Sequence, residues 1–107
     1  MSYVYLLETS NDDTTIYKIG YTKNSTKRRI DSLQTGNPYP IREVCTYSTK
    51  YDQKIERALH NFYSHFRLDG EWFSLDCKSV ANFLKTCDKL EKNFDVLQNN
   101  NSNFFKK

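Results

Sequence analysis

The sequence predicts an α+β domain, a small antiparallel sheet of three to four strands flanked by helices in the order β-β-α-β-α-β-α. Three observations carry that expectation. Residues 3–7 and 15–21 are runs of strand formers joined by a short polar turn. Residues 24–38 open on capping side chains and close on glycine and proline. Residues 52–66 repeat apolar side chains at helical spacing. A chain of 107 residues has room for one domain with one modest core. That domain is taken as 1–97, followed by an Asn-rich tail, 98–107, expected to be disordered.

Tyr3-Val4-Tyr5-Leu6-Leu7 forms the first strand, and Asn11-Asp12-Asp13 supplies a turn into the second, Thr15 to Tyr21. A turn of this length joins them as an antiparallel hairpin. Tyr17, Ile19 and Tyr21 share one face of the second strand; Ile16, Lys18 and Gly20 share the other. The apolar face is expected to meet the core with Val4 and Leu6. Tyr5, Lys18 and Gly20 then lie together on the more open side, an assignment that a one-residue slip in register would reverse.

Asn24, Ser25 and Thr26 offer N-caps for a helix to about Thr35, with Ile30 and Leu33 as its apolar positions. Gly36 suits the left-handed residue after that helix, and Pro38 and Pro40 prevent its continuation. A third strand is expected from Ile41 to Tyr47. Ile55, Leu59, Phe62 and Phe66 then define an amphipathic helix from Asp52 to Phe66. Gly70 marks a turn, Glu71 to Leu75 a short strand, and a last helix carries Val80, Phe83, Leu84, Cys87 and Leu90 on one side.

Composition narrows the function classes. No segment approaches the roughly 20 apolar residues that span a bilayer, and the N-terminus lacks the pattern of a secretory signal. A soluble, intracellular protein without a membrane partner is expected. Cys45, Cys77 and Cys87 are odd in number and lack CxxC spacing, which favours reduced, largely buried thiols over a zinc knuckle or disulfide framework. The net charge of +3 is a weak signal by itself, but its distribution is uneven. Lys18, Lys23, Lys27, Arg28 and Arg29 occur in one stretch without an acid, interleaved with Tyr17 and Tyr21. Such a patch suits contact with a phosphate backbone; a solvated helix face accounts for the same residues.

Tyr3-Val4-Tyr5, Lys18-Ile19-Gly20, Arg29 on the next helix and Glu56 on a later one resemble, in that order, the GIY-YIG nuclease superfamily. The fuller pattern is Tyr17-Lys18-Ile19-Gly20-Tyr21-Thr22, Leu33-Gln34-Thr35-Gly36-Asn37-Pro38, Glu56-x-x-x-His60 and Glu71-Trp72-Phe73. It resembles the branch of small phage and large-DNA-virus proteins labelled the phage T-five-type DNA-binding domain, over about residues 3–76. The resemblance implies an endonuclease that hydrolyses DNA phosphodiesters with one divalent ion, Mg2+ or Mn2+, in host cytoplasm or nucleus if viral. Tyr5 matches the first-motif tyrosine that activates or positions water, and Gly20 the second-motif glycine. Arg29 matches the arginine that steadies the phosphate, and Glu56 the carboxylate that holds the metal.

Elementary chemistry agrees with those roles. A hard dication takes oxygen ligands, often one carboxylate plus water and substrate oxygens. A planar guanidinium suits a phosphate, and a glycine lets a strand approach another group closely. The candidate catalytic set is Tyr5, Lys18, Arg29, Glu56 and His60; the candidate nucleic-acid set is Tyr17, Gly20, Lys23, Lys27 and Arg28. Arg28 competes with Arg29 for the arginine role. His60, one turn from Glu56, suits a metal or phosphate neighbour or a helix histidine with its own partner. Trp72 and Phe73 read as core rather than a base-stacking platform. Two departures stand out: Tyr3 replaces the glycine of the first motif, and Lys18 replaces the tyrosine of the second. They keep two other readings open, a DNA-binding module without cleavage and a protein-interaction domain with a tyrosine-rich surface.

Overall fold

A computed structural model describes the chain except Met1, Asp12, Lys106 and Lys107, with side chains described through Gln98. It is α+β, with a five-stranded antiparallel sheet in the order β3-β1-β2-β5-β4. The strands are β1 (Ser2–Ser10), β2 (Thr15–Thr22), β3 (Ile41–Thr49), β4 (Arg67–Asp69) and β5 (Trp72–Phe73). The helices are α1 (Thr26–Gln34), α2 (Asp52–Phe62), α3 (Cys77–Ala81) and α4 (Phe83–Phe105).

The hairpin register preserves the face assignments that side-chain alternation predicts. Tyr5 pairs with Gly20, Leu6 with Ile19 and Leu7 with Lys18. Val4, Leu6 and Ile19 enter the main core with Ile55 and Leu59 of α2 and Phe83 and Cys87 of α4. The opposite face is less open than expected. Tyr5 and Leu7 form a second, smaller core with Ile41, and Ile30 and Leu33 of α1 pack over it. Tyr5 is buried, and so is Lys18.

β1 feeds the two cores by simple alternation, whereas β3 changes parity along its length. Its register against β1 shifts between Leu6 and Leu7, so that Cys45 stands opposite Leu6 and Glu43 opposite Leu7. The bulge sends Ile41 to the small core and Cys45 to the large one.

Other elements depart from expectation at their ends. The helix expected to reach Phe66 stops at Phe62, and a 3-10 turn, Ser64–Phe66, carries Phe66 against the main core. The unforeseen strand β4 doubles back through Gly70, whose φ of 56° is the left-handed turn conformation, and pairs with β5. The last helix is two, α3 capped by Asp76 and the longer α4. Leu84 is exposed rather than on the buried side. Of the three free cysteines Cys87 is buried, Cys45 half-buried and Cys77 exposed. The Asn-rich tail expected from residue 98 lies where side chains are outside the described residues, and the backbone of α4 is traced to Phe105. Among the described residues no helix is long and apolar enough to cross a membrane.

Candidate functional site

Tyr5 and Gly20 stand opposite each other on β1 and β2, and the Tyr5 ring lies across the glycine. A Cβ at position 20 would come closer than 3.0 Å to three atoms of the Tyr5 side chain. Glycine is therefore a packing requirement here, not a turn residue. The Tyr5 hydroxyl emerges beside α1 and accepts a hydrogen bond from Arg29 Nε at 3.3 Å. Ser25 caps the helix by accepting from the Arg28 amide, which fixes where α1 starts and so where Arg29 points.

Lys18 is two residues before Gly20 on the same face. Its side chain is 10% exposed, and its ammonium lies 3.2 Å from Glu71 Oε1. It also stands over the Trp72 ring, 5.3 Å from the centroid. A lysine this far from water requires such a partner. Glu71 sits in the turn between β4 and β5, and its carbonyl accepts from the Ile19 amide at 3.2 Å.

Helix α2 contributes the other two groups. Ile55 and Leu59 are fully buried, and they set Glu56 and His60 at the half-buried edge of the helix. His60 Nε2 lies 3.0 Å from the Ile19 carbonyl, so that nitrogen donates, and the ring edge packs on Phe73 at 5.0 Å between centroids. These contacts make His60 a brace between α2 and β2. Its other ring nitrogen is left for a second partner.

The protonation of these groups is linked. Burial pushes the Tyr5 phenol above its ordinary value; the Arg29 guanidinium opposes that, and Glu71 and Glu56 add to it. The bond to Tyr5 holds Arg29 more firmly in its charged form. Burial raises the Glu56 carboxyl, His60 works against the rise, and Glu71 reinforces it. Tyr5 thus feels Arg29, Glu71 and Glu56, and Glu71 acts on Arg29 and Glu56 as well.

Among the described residues no group of three or more His, Cys, Asp or Glu side chains could hold a metal ion. Of the two half-buried carboxylates here, Glu71 is engaged by Lys18, and Glu56 is the one whose burial disfavours its bare charge. A hard dication held here would have one protein carboxylate and would need water and substrate oxygens for the rest of its shell.

Of the residues expected from sequence, Tyr5, Gly20 and Arg29 are in direct contact, Glu56 acts by charge on Tyr5, and its own carboxyl feels Lys18 and His60, while His60 binds β2 at the Ile19 carbonyl. Arg28 and Arg29 are not alternatives in space: with Tyr21, Thr22, Asn24 and Ser32 they line one cleft of about 250 Å³. Lys23 and Lys27 are exposed. Tyr17 packs against the main core, on the face away from Lys18 and Gly20. Phe73 is core, and Trp72 is the half-buried floor beneath Lys18. Glu71 was not anticipated as a site residue, although it belongs to the Glu71-Trp72-Phe73 element of the sequence pattern.

Fold and site together define a small α+β domain with a polar site where β1 and β2 meet α1 and α2. Residues 2–90 match the T5orf172 domain, and the chain belongs to that family. It is also 29% identical over 95 residues to protein 315L of Invertebrate iridescent virus 6, which is named for a KilA-N domain. That match covers 83% of this chain and 39% of the viral protein, so the chain spans about two fifths of its relative's length. No solved structure matches the chain.

Proposed function

We propose that the chain is a DNA-acting domain of GIY-YIG type that binds a phosphodiester in the site between β1, β2, α1 and α2 and hydrolyses it. The observation that carries this reading is the Arg29 Nε bond to the Tyr5 hydroxyl above Gly20, with Glu56 acting on the same phenol. Because the Tyr5 oxygen accepts from Arg29, its own proton is free to be donated to a phosphate oxygen or a water. The remaining N–H groups of Arg29 suit the non-bridging oxygens, and their charge stabilises what develops on the phosphorus centre. Glu56 would hold one Mg2+ or Mn2+ ion, which when bound neutralises phosphate charge and lowers the pKa of water. Membership of the family, and likeness to a viral protein named for a KilA-N domain, support DNA as the partner.

The test is nicking of supercoiled plasmid with Mn2+. Wild-type chain should nick, and Glu56→Ala or Arg29→Ala should slow nicking by about 10²-fold, as for loss of one transition-state contact. Plasmid left intact by fresh wild-type protein sinks the enzyme reading.

A second reading, DNA binding without cleavage, has its own observation. Lys18 fills the second-motif place with a cation already engaged by Glu71, where a hydroxyl would serve proton transfer better. In that case duplex affinity survives Glu56→Ala and falls on substitution of Lys23, Lys27 or Arg28, with the steep salt dependence of phosphate contacts.

A further inference from the structure

Lys18 is held from two directions. Its ammonium meets the Glu71 carboxylate at 3.2 Å and the Trp72 ring at 5.3 Å. The next residue along β2, Ile19, donates its amide to the Glu71 carbonyl at 3.2 Å. Glu71 is therefore tied to β2 by backbone and by side chain at successive positions. Its carboxylate also influences Tyr5, Arg29 and Glu56. An acid placed among groups that would receive an anion is unfavourable for that anion unless the acid does something else there.

We propose that Glu71 is a positioning residue: it holds the Lys18 ammonium over Trp72 at the edge of the site, from where the ammonium donates a further hydrogen bond to a phosphodiester oxygen. The proposal rests on the reading of DNA as the partner. On binding, Lys18 keeps its carboxylate partner and turns a second N–H to the phosphate oxygen, a step without covalent change. Without Glu71 the four-carbon stem of Lys18 is free to take other rotamers, and the cost of ordering it falls on the binding step.

The sign of one mutational effect decides. Simple electrostatics says that removing an acid near bound DNA tightens binding, as exposed Asp31→Asn on α1 should. A positioning role says the reverse for Glu71→Gln. The measurement is fluorescence anisotropy of a short labelled DNA duplex with the full chain, in chelator to suppress cleavage. Glu71→Gln should weaken affinity by about tenfold, the loss of one charge-assisted contact. Glu71→Asp, which keeps the charge, should recover most of it. Lys18→Met should match Glu71→Gln, each lowering the slope of log affinity against log salt by about one. The double variant, which leaves neither charge unpaired, should bind no more weakly than Lys18→Met alone and serves where Glu71→Gln does not fold. Glu71→Gln binding as tightly as wild type, or a double variant clearly weaker than Lys18→Met, overturns the proposal. A wild-type chain that binds no duplex at low salt instead overturns the reading of DNA as partner, and this role of Glu71 with it.

Discussion

On one face of the sheet α2 and α4 seal a core in which Ile55, Leu59 and Phe83 have no exposure. On the other face α1 lies over Tyr5, Leu7 and Ile41 without burying a single residue of its own. The first face holds most of the apolar area removed from water, and so most of the stability. The second keeps polar groups beside its few apolar ones, and Lys18, Arg29 and the Tyr5 hydroxyl gather there. Arg29 thus rides on the lightly anchored helix, while Glu56 rides on the rigid one. A site spanning the two can adjust to a ligand from one side only.

The largest expected effect separates the faces directly. Leu59→Ala should cost about 3 kcal/mol in urea unfolding, whereas half-buried Ile30→Ala should cost about 1 kcal/mol. Equal costs would mean that α1 is anchored as firmly as α2 and would erase the contrast. Gly20→Ala comes next, at about 1–3 kcal/mol, because the new methyl group must push aside a buried ring. Its stability loss should be accompanied by loss of nicking out of proportion to the fraction unfolded, since Tyr5 is what moves.

The smallest effect concerns Glu56. Burial sets its folded value above its unfolded one, so the ionised carboxylate costs stability at neutral pH, and the cost fades as pH falls through the folded value. Glu56→Gln should accordingly leave the thermal midpoint at pH 7 unchanged or slightly raised, with the gain vanishing on acidification. A fall in midpoint at pH 7 would reveal a favourable partner for the carboxylate and place the stabilising and functional roles on one residue.

How much of this was legible in the sequence differs by region for physical reasons. The β1–β2 hairpin was readable down to which residues share a face, because alternation along Val4–Leu7 and Tyr17–Tyr21 separates the rows, while the register itself appears only in the pairing. Helix α1 was readable because Ser25, Gly36 and Pro38 punctuate it. Strand β4 was not: Arg67-Leu68-Asp69 has no strand preference of its own and is extended by its pairing with β5. The β3 bulge left a trace that was not read: the adjacent polar pair Arg42-Glu43 and apolar pair Val44-Cys45 break the alternation where the register against β1 shifts. At the site, Tyr5, Gly20 and Arg29 were singled out by the motif around them, and the structure puts them in contact. The face shared by Tyr5 and Lys18 was expected to be open, because the covering side chains, Ile30 and Leu33, are only two and belong to a separate element. Glu71 escaped notice as a site residue because its partner Lys18 is distant in sequence and meets it only once β2 and β5 are adjacent.

The overlap of Tyr5 on Gly20 also limits how this chain can change over generations. The two positions lie on different strands, yet they share one volume, so neither can be altered freely while the other stays. A larger residue at 20 is admissible only after the ring at 5 has been given up, and with it the hydroxyl that meets Arg29. In a library randomised at both positions and selected for folding alone, aromatic side chains at 5 should survive only beside glycine at 20. The pair behaves as one inherited unit written in two places.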